Sequence, residues 1–263
     1  MTKLEILRYI MNSLENTNPA IVLEMIDAYK NTPVVTDEST LTEVFADTAI
    51  SSVELIEPIT VTKEAQLQRN FSIDGGNQKI STAATGKVFT FLKNGEFHDI
   101  VIESSADNKE WHSSWGMQFF TGNNTVTNLK VSGCNGALLV NGAKVTLKGT
   151  IDVSGNTFGG IEVSKGVGVE NKGILDITEA TLINTTEEYG KPTIWVDGID
   201  ESGEVIGAQG MTKILFTKED GTQQYHFYLN PENAVKPTEP DGEEDNEEVT
   251  ASDDNEETIS DEK

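Results

Sequence analysis

Between residues 40 and 80 the spacing of apolar positions changes from a helical period to a period of two. Leu41, Val44 and Phe45 share one helical face, and Thr40 and Glu43 stand at capping-box spacing, so a short helix is predicted there. From then on the apolar residues alternate: Val53 and Leu55, Ile59 and Val61, Phe71 and Ile73. Each segment is too short and too narrowly apolar to be a stable strand alone. They make sense as rungs of a stack, in which each rung's apolar row is covered by the next.

The rest of the middle of the chain repeats this pattern. FSIDGG (71–76), HDIVIES (98–104), VTNLKVSGCNGALLVNG (126–142), GTIDVSGNTFGGIEVSKG (149–166) and GILDITEATLINTTEEYGKPTIWVDG (173–198) align as successive rungs. Val131 and Val153 are 22 residues apart, Val140 and Val163 are 23 apart, and Ile177 follows Val153 by 24. Val196 follows Val163 by 33, which predicts an insertion near 184–191. A repeat in the twenties is the size of one supersecondary unit of a solenoid. The pairs Ile100/Ile102, Leu129/Val131, Ile151/Val153 and Leu175/Ile177 face inward, leaving Asp99, Lys130, Asp152 and Asp176 outside. Glycines at the rung corners supply the backbone freedom that sharp turns require.

The flanks read differently. Residues 1–30 predict two helices. Thr2 and Glu5 cap the first, with Leu4, Leu7, Met11 and Leu14 as its stripe; Asn18-Pro19 opens the second, with Ile21, Val22, Met25, Ile26 and Tyr29. A helical hairpin of this size cannot bury its own stripe. Leu4, Leu7, Met11, Ile21, Val22, Met25 and Ile26 are therefore candidates for docking on a partner or for self-association. Residues 31–38 read as a linker. Near the other end, 213–217 and 223–229 flank Lys-Glu-Asp-Gly, a hairpin signal that would cap the last rung.

In the order helix, SSVEL, ITV, then QLQRNFSIDGGNQKI, the chain resembles the N-terminal entry of right-handed parallel β-helix proteins of the pectate-lyase-like architecture. The resemblance covers about 38–198. It implies an all-β fold: a helical hairpin (1–30), a linker (31–38), the β-helix (39–198), a hairpin cap (199–235) and a disordered acidic tail (236–263). That architecture hosts lyases, glycan hydrolases, adhesins and viral spikes, so it does not choose among functions. The segment LEILRYIMNSLENTNPAIVLEMIDAYKN is similar to head fibres of small phages of Gram-positive hosts. That likeness implies a virion surface protein, located on the particle and made in the host cytoplasm. Its partner would be the capsid or another virion protein, with a homo-oligomer and a cell-surface glycan as further candidates. The alternative is a carbohydrate-active enzyme or glycan-binding module.

Charge narrows the partners. The chain carries a net charge of −25; residues 236–263 hold 13 acidic and 2 basic residues, and the remaining 14 negative charges belong to the rest. The tail's composition is that of a disordered segment. Such a field repels nucleic acid and anionic membrane surfaces. No apolar run approaches a membrane span, and MTKLEIL lacks the features of a secretory signal. Cys134 is the only cysteine, which excludes an internal disulfide and argues for a structural thiol. Cys/His metal sites are excluded by count, and no cofactor is expected.

The residues that could do chemistry are few. Asp74, Asp99, Glu103, Asp152 and Asp176 are outward carboxylates, yet Arg8 and Arg69 are the only arginines, and no carboxylate–arginine cluster marks a catalytic centre. His98 and Asp99 are adjacent, and alternation sends neighbours to opposite faces, which places His98 inward or at a corner. No catalytic residue is assigned. The loop SSADNKEWHSSWGMQFF (104–120) is the candidate recognition surface, with Trp111, His112 and Trp115 as its binding residues. The plainer reading packs these rings over the flank of the stack.

Overall fold

The computed structural model describes residues 33–106, 114–165, 171–199 and 201–237, together with Leu23. The helices expected over 1–30, their docking stripe and the tail from 238 lie outside the described residues. The protein is mostly β-sheet with parallel strands, and among the described residues there is one α-helix.

The chain adds strands to two sheets in turn. After β1 (Val34–Val35) and α1 (Glu38–Ala46), the first turn lays down β2 (Ser52–Leu55), β3 (Ile59–Val61) and β4 (Ala65–Leu67). The second lays down β5 (Phe71–Asp74), β6 (Lys79–Thr82) and β7 (Lys87–Phe91). In later turns the first two strands merge across a bend. The long strands are β8 (Gly95–Ser104), β10 (Asn123–Ser132), β12 (Lys144–Asp152) and β14 (Gly173–Ile183). Each is followed by a strand of the second sheet: β9 (Trp115–Phe119), β11 (Gly136–Asn141), β13 (Ile161–Ser164) and β15 (Ile194–Val196). β5 pairs with the first half of β8 and β6 with its second half, all in parallel. This arrangement is compatible with a β-helix-like fold.

Register explains the stability of such short strands. Val53, Ile73, Phe97, Val126 and Leu147 lie opposite one another on successive turns. Ile59, Ile80, Ile102 and Val131 form a second row. Leu67, Phe91, Phe119, Val140, Val163 and Val196 form a third. All are buried, so every apolar side chain is covered above and below by the next turn. Phe91, Phe97 and Phe119 interlock at 4.2 to 5.5 Å between ring centres.

The bends in the long strands fall on Asp99 (φ 52), Asn128 (φ 54) and Gly149 (φ 66), all left-handed. Gly149 is required twice over, because a Cβ there would stand 2.3 Å from the Asn128 amide oxygen.

Three expectations change. The capping box is Asp37 with Thr40, not Thr40 with Glu43. The Thr40 N–H donates to Asp37 Oδ1 at 2.7 Å and the Asp37 N–H to Thr40 Oγ1 at 3.1 Å. Helix α1 therefore starts at Glu38, although Leu41 and Val44 are buried as its face predicts. The segment read as a linker is ordered from Val34 on, where β1 pairs with β2 and Val35 is fully buried. Finally, Ile151 pairs with Leu182 and Val145 with Leu175, so β14 is offset by 30 to 31 residues. Of the ten residues by which Val163 to Val196 exceeds Val140 to Val163, seven therefore lie ahead of β14, between 164 and 174, one lies within β14, and only two lie between 183 and 194, where the whole insertion was expected. Val153 accordingly donates its N–H to the carbonyl of Ile183, not beside Ile177.

Both ends of the stack are covered. At one end α1 packs against β1, β3 and β4. Arg69 ties off its last turn, donating to the carbonyls of Val44, Phe45, Asp47 and Ile50 at 2.7 to 3.2 Å. At the other end β16 (Gly203–Ile206) extends the first sheet. The antiparallel pair β17 (Thr212–Thr217) and β18 (Gln223–Tyr228) closes the second through β18 against β15.

A candidate binding cleft on the outer face of the second sheet

Strand alternation puts one set of residues outside the second sheet: Leu139, Glu162, Trp195 and His226 lie opposite one another from β11 to β18. On the next outward row Ser164 precedes Asp197, whose N–H bonds to the Val163 carbonyl, and Gln224 follows on β18. An outer row is ordinarily solvated, yet Glu162 is 5 %, Trp195 2 %, His226 2 % and Gln224 3 % exposed. Part of the cover is visible: Phe158, the loop around Gly190 and Pro192, and Phe216 of β17. Between them a cleft of about 360 Å³ opens, floored by Trp195 and His226 and reaching Lys218 and Gln224 at its polar end.

The polar groups of the cleft form a chain with one consistent set of donors. Gln224 Nε2 donates to Asp197 Oδ1 at 2.6 Å. That orientation leaves Gln224 Oε1 to accept from His226 Nε2 at 3.2 Å. His226 Nδ1 then accepts from the Tyr228 hydroxyl at 3.1 Å, which in turn accepts the Gly190 N–H at 3.1 Å. His226 is thus a neutral imidazole, and burial first and Lys218 second pull its pKa down to about 4. Phe216 stacks on it at 4.2 Å with planes 13° apart. Burial pushes the Tyr228 phenol up to about 12.

Glu162 lies under this surface. Burial first and the neighbouring Asp197 second push its carboxyl up to about 8, against smaller opposing effects of Ser164 and Lys218. Asp197 itself is paired with Lys218 at 3.7 Å. The loop wall is fixed by a second buried carboxylate, Glu187. It accepts from the Thr193 hydroxyl, from the backbone N–H groups of Leu229 at 2.9 Å and Asn230 at 3.0 Å, and from Asn233 Nδ2 at 3.3 Å.

Of the residues singled out from sequence, Trp111 and His112 lie outside the described residues. Trp115 is the first residue of β9 and only 2 % exposed, packed with Leu139, Phe158 and Trp195 at 5.8 Å between the tryptophan rings. It therefore forms part of the covered flank, and its placement is that of the plainer reading. Of the carboxylates expected outside, Asp74 is buried at the end of β5, and all five are engaged in ties within or between turns. Asp74 accepts from the Gly76 N–H at 2.9 Å, and Asp99 from Asn128 at 2.8 Å. Glu103 pairs with Lys79 at 3.1 Å. Asp152 pairs with Lys130 at 3.3 Å, and Asp176 accepts from the Thr178 hydroxyl at 2.7 Å. Burial raises Asp152, but Ser154 and Lys130 outweigh it and hold the carboxyl below its usual range. His98 directly precedes the left-handed bend at Asp99, which interrupts the alternation on which their opposite facing was argued. Among the described residues no three His, Cys, Asp or Glu side chains converge as a metal site.

Glu162, Trp195, Asp197, Gln224 and His226 were not singled out from sequence, although Trp195 at an outward position of an alternating strand was a signal. Compared with models of known families, with curated proteins and with solved structures, the chain matches none.

Proposed function

We propose that this protein is a phage virion surface protein, head-fibre or spike-like, built as a right-handed parallel β-helix. In this reading the N-terminal helices dock on the particle through Leu4, Leu7, Met11, Ile21, Val22, Met25 and Ile26. The stack projects outward, and the cleft near the hairpin cap is the attachment surface. The observation that carries it is the third interior row, which runs without a break from Leu67 on β4, against which α1 packs, to Val196 on β15, against which β18 pairs, so one continuous core joins two different covers. Eight strands in series in the first sheet, at about 4.8 Å each, give a rigid spacer of roughly 34 Å. The likeness of residues 4–31 to phage head fibres supplies the particle. The net charge of −25 keeps neighbouring copies apart. The test is mass spectrometry and immunogold labelling of particles purified from phage-infected cells. The full chain should travel with particles, and a chain beginning at Pro33 should not. Absence of the full chain from particles overturns the reading.

A carbohydrate-active enzyme is the second reading, favoured by one observation: Glu162 is held protonated next to the carboxylate of Asp197, the pairing of an acid with a base. Release of reducing ends from host cell-wall glycans, lost in Glu162→Gln, would replace the first reading with this one.

A further inference from the structure

We propose that the cleft between Phe158 and Phe216 is a subsite for a single ring of a neutral saccharide, held at its polar end by Lys218 and by Asp197, which adjoins the cleft as the ion-pair partner of Lys218.

The shape comes first. About 360 Å³ is at the small end of the range for small-molecule pockets, enough for a ring rather than a chain. Phe158 and Phe216 are half-buried walls, and Trp195 lies beneath. Flat aromatic walls suit the C–H face of a pyranose, a surface that is apolar in the middle and hydroxylated around its edge.

The polar end suits that edge. Gln224 and His226 are already bonded at both of their polar ends, so they position rather than recognise. Asp197 and Lys218 stand 3.7 Å apart, with side chains 43 % and 34 % exposed. A strong acceptor beside a strong donor, half open to solvent, fits two neighbouring hydroxyls, each of which both donates and accepts.

Charge selects a neutral ring. At neutral pH the Glu162 carboxyl is protonated and His226 is uncharged, so among the described residues of the cleft the charge rests on the ion pair of Asp197 with Lys218, one of each sign. Around it the whole chain carries −25, which repels uronates and sialylated glycans. The cleft also lies by the hairpin cap, at the end of the second sheet away from α1. This inference rests on the attachment reading for its biological role, while the binding itself can be measured apart from any particle.

The experiment is saturation-transfer NMR on the full chain. The probes are the methyl pyranosides of glucose, galactose, mannose and N-acetylglucosamine, with galacturonate and N-acetylneuraminate as anionic comparators. At least one neutral pyranoside should receive magnetisation through its ring C–H protons. Phe216→Ala and Lys218→Ala, both at the rim, should each weaken it by about tenfold or more, as for an anchoring contact. No transfer to any neutral probe, transfer to the anionic probes alone, or transfer unchanged in both variants overturns the proposal. Particle association of the same two variants separates the two ideas. It should be unaffected, and a full chain that binds sugar but never travels with particles refutes only the virion role.

Discussion

Asn128 Nδ2 donates to Asp99 Oδ1 at 2.8 Å across one turn of the stack, and both residues hold left-handed backbone. Asn128 Oδ1 also accepts from the Thr150 N–H on the following turn at 3.1 Å, so one exposed amide links three turns. Asn tolerates this backbone better than other residues with a side chain. Asn128→Ala should lose both bonds and gain strain, for a loss of about 2 kcal/mol, whereas Asn128→Gly should lose the bonds alone and recover about 1 kcal/mol of that. Urea midpoints of the three proteins check the order; Gly at or below Ala would remove the strain argument.

The rows were legible wherever a turn keeps a constant length. Val140 and Val163, 23 residues apart, do lie opposite each other, because apolar alternation and a fixed turn leave one register. The longer turn before β14 is hidden because Leu175 and Ile177 alternate just as Ile151 and Val153 do, while Leu182 stands out of phase with them beyond the register shift. Nothing local shows that Leu182, rather than Ile177, continues from the Ile151 half of the rung. The helix start was misread by three residues because Thr40 serves equally as a first cap or as the partner of Asp37. The cleft was not legible for a different reason. Glu162, Gln224 and His226 are polar residues at outward positions, and alternation reads those as solvated. Their cover comes from Phe158, Pro192 and Phe216, side chains brought over the sheet from separate parts of the chain.

Glu162 and His226 give stability a defined pH dependence. The folded pKa of Glu162 is raised to about 8, so its folded state holds a proton that the unfolded chain releases above roughly 4.3. That lowers stability as pH rises toward 8. His226 works the other way: held at about 4 when folded, it favours the folded state as pH rises from there to roughly 6.5. The two slopes oppose each other below pH 6.5, and only Glu162 titrates above it. Between pH 6.5 and 8 the protein should lose up to about 2 kcal/mol. Glu162→Gln should flatten that interval in denaturant titrations. An equal decline in the variant would assign the effect to other groups.

Cys134 should be inert in the folded protein. It is 1 % exposed, and burial, against weaker help from Ser114 and Ser104, pushes its thiol up to about 11. At pH 8 only about a thousandth would be thiolate, against roughly a quarter of an ordinary cysteine. An aromatic disulfide reagent should titrate no thiol in buffer and one per chain in denaturant. Rapid labelling in buffer would mean that this corner opens.

Glu187 should be the clamp of the hairpin end. Its carboxylate gathers four donors from the Thr193 loop and from residues 229–233. Glu187→Ala leaves buried donors without a partner and should cost about 3 kcal/mol, concentrated at this end. Hydrogen exchange at Leu229 and Asn230 should speed up markedly, while that at Ile102 and Val131 should not. Uniform loss of protection would show that this end is not a separate unit.

The position at which the N-terminal segment can be removed follows from Val35. Its side chain is fully buried, its strand pairs with β2, and the Glu54 N–H bonds to the Pro33 carbonyl at 3.2 Å. A chain beginning at Pro33 keeps these contacts and the Asp37 cap. One beginning at Thr36 loses β1 and uncovers Leu55, which is 1 % exposed, at a cost of about 2 kcal/mol for the valine alone. The Pro33 chain should therefore melt close to the full-length protein and the Thr36 chain measurably below it. The comparison matters for docking, because a loss of particle attachment or self-association counts against residues 1–32 only if the stack is intact. Sedimentation of the Pro33 chain supplies that reading. Fewer copies per particle than the full chain, with an unchanged melting temperature, assigns the association to the Leu4–Ile26 stripe, and the same number of copies removes it from there.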